Sequence, residues 1–214
     1  VNYKEFERLL KRAQSKSLPG EKAQLELAPS GRLPLSELDI EEQKPRKAGV
    51  LALFETREDE VNLILTERTK YPGAHSGQIS FPGGGYEDQD EIFLNTAIRE
   101  TREEIGVKSE RYTIWGALTP LYIPPSNFLV HPFLAHSSQS LNFIKEEKEV
   151  ASIRSIPFAR FLEPEAISDT KIELSNGFKI KSKAFLIEDL VIWGATAMMI
   201  AEIRRMILNE MGSL

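Results

Sequence analysis

The chain has 214 residues, 41% of them hydrophobic and 28% charged, with 27 basic against 32 acidic side chains and a net charge of -5. That is enough apolar chain for one domain with a real core and some decoration. The acidic balance argues against a nucleic-acid partner bound through its phosphates. There is no cysteine, so disulfides, thiolate nucleophiles and cysteine-based zinc sites are excluded, and no apolar run approaches a membrane span. Val1 to Gln14 is mixed and charged rather than an apolar leader, so a cytoplasmic protein with no membrane partner is expected.

Residues 1–47 read as an N-terminal arm ahead of a domain over 48–214. Tyr3, Phe6, Leu9 and Leu10 fall at helical spacing and predict a short amphipathic helix; from Pro19 to Lys47 proline and charge predict a wrapping segment. Val50–Phe54 and Val61–Leu65 are strand-like runs around a polar turn at Thr56–Asp59, which predicts a hairpin. Gln78–Phe81 predicts a third short strand, ending at Pro82-Gly83-Gly84-Gly85. A long helix is expected from about Glu91 to Ile105, stopped by Gly106. Strands are expected at Tyr112–Leu118, Phe128–Ala135, Ser152–Ile156, Lys171–Leu174 and Ala184–Ile187, with a short helix at Phe158–Leu162. The last helix, Thr196–Met211, carries a stripe of Met199, Ile200, Ile203, Met206 and Ile207, read first as core packing and second as a homodimer face. Strands on both sides of one long helix, closed by another, predict an α+β sandwich with a mixed sheet.

The chemistry concentrates between Gly85 and Val107. On a helix, Glu100, Glu103 and Glu104 stand at i, i+3 and i+4 and share one face, while Leu94, Ala97, Ile98, Thr101 and Ile105 share another that packs. Three crowded carboxylates repel one another, so a helix does not gather them for stability. A hard divalent cation offsets the repulsion, and oxygen ligands suit Mg2+ or Mn2+. The preceding glycines let backbone approach a ligand closely, and Arg99 sits four residues before Glu103, within pairing distance. A charged surface helix is the plainer reading of Arg-Glu and Glu-Glu pairs alone. Glycine, acid, Arg-Glu, Glu-Glu and glycine at fixed offsets argue against it.

That pattern resembles the Nudix box, G-x5-E-x7-R-E-U-x-E-E-x-G-U, with U a bulky aliphatic residue. Thr101 departs at one aliphatic position, where it keeps a β-branched shape and its hydroxyl is placed to bond the Ala97 carbonyl. The resemblance implies an α/β/α sandwich in which the box forms a loop–helix–loop. It implies that Glu100 and Glu104 bind the metal directly, that Glu103 binds a metal or polarises water, and that the Gly84 carbonyl is a further ligand. Glu91 would hold loop and helix together. A later acid often joins the site; of Glu146, Glu147 and Glu149, the last is chosen here.

Upstream, Ile64-Leu65-Thr66-Glu67-Arg68-Thr69 and Gly77-Gln78-Ile79-Ser80-Phe81-Pro82-Gly83-Gly84 resemble the second signature of the coenzyme A pyrophosphatase branch. Leu118–Pro132 and Ile192–Ala197 resemble the same branch. Thr69 replaces a usual Ser or Ala. Gly73 replaces a usual second arginine, with Lys70 and His75 the nearby alternatives. The implied reaction is metal-dependent hydrolysis of the diphosphate of coenzyme A or its derivatives, a small-molecule nucleotide substrate. Thr66, Arg68 and Gly83 are the expected substrate contacts, with Arg68 matching phosphate oxygens by its planar fork. Glu103, Glu100, Arg99 and Glu149 are the expected catalytic group. His75 and His131 receive no catalytic role. Two alternatives stand beside this: a Nudix pyrophosphatase for ADP-ribose or another nucleoside diphosphate derivative, and a non-catalytic nucleotide sensor. The sensor reading is weakened by the intact acids of the box.

Overall fold

The computed structural model describes residues 2–69, 77–174 and 177–212. Lys70, Gly73 and His75 lie outside the described residues. Within them run α1 (Tyr3–Gln14), α2 (Gly20–Gln24), α3 (Ile40–Gln43), β1 (Arg46–Arg57), β2 (Glu60–Arg68), β3 (Ile79–Ser80) and β4 (Gly83–Gly85). Then come α4 (Phe93–Ile105), β5 (Thr113–Ala117), β6 (Leu121–Ile123), β7 (Phe128–Ser137), β8 (Val150–Pro157), α5 (Phe158–Leu162), β9 (Ile167–Glu173), β10 (Lys179–Ile187), β11 (Leu190–Ile192) and α6 (Gly194–Met211).

The main sheet runs β3-β2-β1-β7-β5, with β4 added to β1, β6 to β7 and β8 to β2; β9, β10 and β11 form a second, antiparallel sheet. β1 and β7 are parallel over Arg46↔Phe128 to Glu55↔Ser137, whereas β1 and β2 are an antiparallel hairpin from Phe54↔Leu63 to Arg57↔Glu60, so the sheet is mixed. Glu58 and Asp59 at the turn have φ of 51° and 64°, the left-handed pair whose twist matches that of the strands. β1 is longer than the apolar run Val50–Phe54 because it is paired to β7 from Arg46 to Glu55, to β4 over Ala48–Val50 and to β2 over Phe54–Arg57.

Alternation along β1 builds the sandwich. Leu51 and Leu53 pack with Ala97 and Ile105 of α4, while Ala52 and Phe54 pack with Phe6, Leu9 and Leu10 of α1 and with α6. A strand buried on both faces reads as a continuous apolar run. The segment 1–47 thus supplies core: Phe6 is fully buried, its ring 5.0 Å from Phe54 and 5.3 Å from Phe158. Asn2 caps α1 by accepting from the Glu5 amide at 3.0 Å.

Every member of the α6 stripe is buried inside this one chain, so the stripe offers no dimer face. The same helix carries a buried carboxylate. Glu202 accepts from the Gly20 amide (3.2 Å), Gln24 Nε2 (3.0 Å), and both the amide (3.2 Å) and hydroxyl (2.6 Å) of Thr119. Full hydrogen bonding is what makes a buried polar group tolerable, and here it fastens α2 and the Leu118–Pro132 segment to α6. Thr196 similarly donates to the Ile79 carbonyl at 2.9 Å, joining the Ile192–Ala197 segment to β3. Among the described residues no helix is long and apolar enough to cross a membrane.

His136, on β7, lies between Tyr3 (rings 4.7 Å apart) and Trp115 (4.8 Å), with Nε2 2.9 Å from the Thr56 hydroxyl. Burial pushes its pKa down to about 4, against about 6.5 in an unfolded chain. A depressed folded value means the contribution is complete above about pH 6.5 and is lost as pH falls through 4. The melting temperature should therefore fall across that window. In His136→Gln the fall should be shallower; an identical slope in both proteins would show that His136 is not the titrating group.

Candidate active site

The site is assembled on α4 by three local devices. First, α4 begins at Phe93, not Glu91: Asp88–Asp90 form a 3-10 turn and Glu91 follows with φ of 63°. Second, the helix stops at Gly106, whose amide donates to the Arg102 carbonyl at 3.0 Å, as its sequence predicts. Third, Thr101 donates to the Ala97 carbonyl at 2.7 Å, so its hydroxyl is satisfied within the packed face.

Facing the helix, β4 lays its glycines against it. A side chain at Gly84 would meet the Glu100 carboxylate at 2.4 Å, and one at Gly83 would meet the Gly49 carbonyl at 2.5 Å. The Gly83 amide donates to Glu104 Oε2 at 3.1 Å. Close approach is therefore what the glycine run provides. The resulting cleft, about 520 Å³, is walled by these glycines, by Glu100, Glu103 and Glu104 of α4, and by Arg68, Arg99, Glu146 and Glu149.

Arg99 organises this wall. It makes a bidentate pair with Asp90 (Nε–Oδ1 2.8 Å, Nη2–Oδ2 3.0 Å) and donates to Glu100 (2.9 Å), Glu103 (3.1 Å) and the Gly85 carbonyl (3.0 Å). The expected pairing with Glu103 is present as one strand of a larger knot. Asp90 also accepts from the Thr96 hydroxyl at 2.9 Å and the Glu87 amide at 2.9 Å. These donors, Arg99 above all, hold the Asp90 carboxyl well below the usual carboxylate range and raise the guanidinium further. The role expected of Glu91 thus belongs to Asp90. Glu91 is exposed, its left-handed backbone carrying it out of the cluster. An acid nine residues before Arg99, with Thr96 between them, was the available signal.

The carboxylates differ sharply. Glu104 is 3% exposed and its pKa is pushed up to about 7, chiefly by burial, against the pull of the Gly83 amide and of Arg68 at 3.6 Å. Glu100 is also raised, by burial first, with Arg99 opposing and Glu103 and Glu149 adding repulsion. Glu103 stands at the exposed rim. Among the described residues no three acids or imidazoles converge as a ready metal cluster: Glu100 and Glu103 lean to Arg99, and Glu104 to Gly83.

Glu149 reaches the cleft from the loop before β8. That loop is fixed at both ends. The Ile144 and Glu146 amides donate to the Ile105 and Glu104 carbonyls (3.0 and 2.9 Å), and Thr69 donates through its amide to Glu149 O (3.0 Å) and its hydroxyl to Lys148 O (2.8 Å). Glu147 is outside, paired with Lys145 at 2.8 Å. Thr66 is a correction. It is 1% exposed and within 3.1 Å of the Ser80 hydroxyl, so it joins β2 to β3 and does not wall the cleft. Gly83 does reach the cleft, but its amide holds Glu104.

The family model of the NUDIX domain matches residues 43–175. The chain belongs to the Nudix family. Nudix hydrolases are pyrophosphohydrolases of nucleoside diphosphate derivatives, so the protein is an enzyme of that class acting on small-molecule nucleotides. It is 32% identical over 159 residues to the mitochondrial coenzyme A diphosphatase NUDT8 of Homo sapiens, covering 72% of this chain and 66% of the human protein. It is 30% identical over 150 residues to a Nudix hydrolase NudL of Yersinia enterocolitica, covering 69% and 75%. A MutT/nudix family protein from Enterococcus faecalis shares the fold at a TM-score of 0.50 and 16% identity, over 84% of this chain and 75% of that one. α1 and α6, which build one face of the sandwich, lie outside the matched 43–175.

The Asp90 assignment is testable by stability. Asp90→Asn should cost about 2–3 kcal/mol, the scale for a charge-assisted pair broken in a buried setting, whereas Glu91→Gln should stay within about 0.5 kcal/mol. Equal losses in denaturant unfolding would refute it.

Proposed function

We propose that this cleft hydrolyses the diphosphate of coenzyme A or its derivatives, yielding adenosine 3′,5′-bisphosphate and 4′-phosphopantetheine or its acyl form. The observation that carries the reading is the placing of Arg68 beside Glu104 in one cleft with Glu100, Glu103, Glu149 and the glycine strand. It joins the residues of the coenzyme A signature to those of the Nudix box. The similarity to the human coenzyme A diphosphatase supports the same substrate.

The donor set is all oxygen, the chemistry of Mg2+ or Mn2+ rather than of a soft metal. A buried Glu104 with a raised pKa, beside Glu100 and Glu149, is a set of charges that a divalent cation would relieve. Glu100, Glu104 and the Gly84 carbonyl would hold it, with Glu103 beside them at the rim and Glu149 from the later loop. When bound, such a cation polarises phosphoryl oxygens and makes water a stronger nucleophile at neutral pH. The chain's own groups do the rest. Arg68 presents a planar fork to a diphosphate oxygen. Arg99 fixes the Glu100 and Glu103 carboxylates and, through Gly85, the strand that faces them. Glu103, the most exposed acid of the helix, is placed to take a proton from an incoming water. The cysteine-free composition suits a reducing, cytoplasmic setting.

Turnover tests the substrate. With Mg2+ or Mn2+, coenzyme A should be cleaved with a higher kcat/KM than dephospho-coenzyme A or ADP-ribose, and a chelator should abolish all turnover. If ADP-ribose is the better substrate side by side, the coenzyme A reading fails while the family stands; the glycine at position 73 is where such a shift would originate.

Division of labour is the second test. Glu103→Gln should lower kcat by roughly 10²–10⁴-fold, the range for acid–base and electrostatic groups. Glu104→Gln should weaken metal activation and leave the fold at least as stable, because a buried charge is removed. Rates within twofold of the parent in both variants would place the chemistry elsewhere.

A further inference from the structure

The first turn of α4 is seated on the sheet outside the cleft. Gly49 of β1 is buried and faces α4, as Leu51 and Leu53 do further along the strand. A methyl group at Gly49 would stand 2.2 Å from the Phe93 carbonyl oxygen, 2.9 Å from the Ala97 nitrogen and 3.0 Å from Thr96 Cβ. The first two are helix backbone, so no side-chain rotation makes room. A glycine inside a strand often marks such a close approach by another backbone.

Gly49 has a partner in register on each side: Gly84 of β4, under Glu100 in the cleft, and His131 of β7. The His131 ring stacks on Phe93, with 3.9 Å between centres and 19° between planes. The seat thus has a floor, Gly49, and a side wall, His131. His131 Nε2 is buried without a hydrogen-bond partner, so what the ring offers Phe93 is its face and its volume.

Thr96 above Gly49 and Glu100 above Gly84 share one helix face, a turn apart. One turn is about 5.4 Å and paired strands are about 4.8 Å apart, so two adjacent glycines meet two successive turns. Their tasks differ. A methyl at Gly84 would strike only the movable Glu100 carboxylate, whereas one at Gly49 would strike the helix backbone. The same turn carries Thr96, whose hydroxyl donates to Asp90 at 2.9 Å, and Asp90 in turn pairs with Arg99. Lifting it would move the acids and the knot together.

We propose that Gly49 and His131 are positioning residues for the reaction: their seat sets the depth of α4 against β4, and so the distance from the Glu100 and Glu104 carboxylates to the Gly84 carbonyl. The inference rests on the cation site described above, which those three groups would form. To clear a carbonyl oxygen at 2.2 Å, a side chain at position 49 must lift the helix by about 1 Å. Misplacement on that scale costs about 10²-fold in rate, and a cation shared between helix and strand would no longer reach both.

The test is Mn2+ affinity of the full chain by titration calorimetry, with the amide resonance of Gly83 as a second readout taken without metal. That amide donates to Glu104 at 3.1 Å, so it reports the spacing of helix and strand directly. Gly49→Ala should weaken Mn2+ binding about tenfold or more, the scale for groups that orient metal ligands, and shift the Gly83 resonance upfield as its hydrogen bond lengthens. His131→Ala should move both readouts in the same direction by a smaller factor, while His131→Phe, which restores a ring against Phe93, should keep the parental values. Ile200→Val removes buried volume on the opposite face of the sheet and should leave both readouts unchanged, which separates positioning from a general loss of stability. If Gly49→Ala does not fold, the two His131 variants decide by themselves. Parental affinity and an unshifted Gly83 resonance in the folded Gly49→Ala or His131→Ala proteins overturn the seat, as does an equal change in Ile200→Val. If Glu104→Gln leaves Mn2+ affinity unchanged, the cation site falls, and the Gly83 resonance, which needs no metal, still decides the seat.

Discussion

The buried knot between Arg99 and Asp90 is the contact on which the site depends. One guanidinium spends its donors on Asp90, Glu100, Glu103 and the Gly85 carbonyl, and so joins the turn before α4, two acids of α4 and the strand opposite. Without a cation of this kind at the centre, Glu100 and Glu103 on one helix face would repel with nothing to set their rotamers. A planar, permanently charged group suits the task because its fork makes several directed bonds at once. Lysine would supply the charge without the geometry.

Around that knot the acids are graded by solvent. Glu104 is buried and held by a backbone amide, Glu100 is partly buried against Gly84, and Glu103 is at the rim. Desolvation raises the inner pair, and the proximity of Glu149 raises them again. Such a gradient costs stability and makes sense where a cation and an anionic substrate must meet. The outer loop completes it. Backbone bonds from Ile144 and Glu146 to the end of α4, and from Thr69 to the Glu149 carbonyl, carry an acid from a distant stretch of chain to the same cleft.

The scaffold holds this arrangement from behind. β1 is covered by α4 on one face and by α1 and α6 on the other, so the strand beside the glycine run is packed on both sides. On the far side the buried Glu202 is fully hydrogen-bonded and serves to fasten segments. The contrast is instructive. Buried carboxylates outside the cleft are satisfied by neutral donors or paired cations, while those inside it are crowded by like charge.

By itself the sequence determined what is local. Helical spacing placed Glu100, Glu103 and Glu104 on one face, Gly106 set the end of α4, the Thr101 hydroxyl could reach the Ala97 carbonyl one turn back, and the apolar run Val50–Phe54 marked a strand. These follow from residue spacing along one element. Only the tertiary structure decided what depends on residues far apart. It chose Asp90 over its neighbour Glu91 because one backbone angle at the helix entrance turns one inward and the other out. It took Thr66 out of the cleft by pairing it with Ser80 across β2 and β3. It buried the α6 stripe under α1, and stacked Phe93 of α4 on His131 of β7. Periodicity reports which face of an element is apolar. What lies against that face is set by strand register and helix packing, and these depend on the whole chain at once.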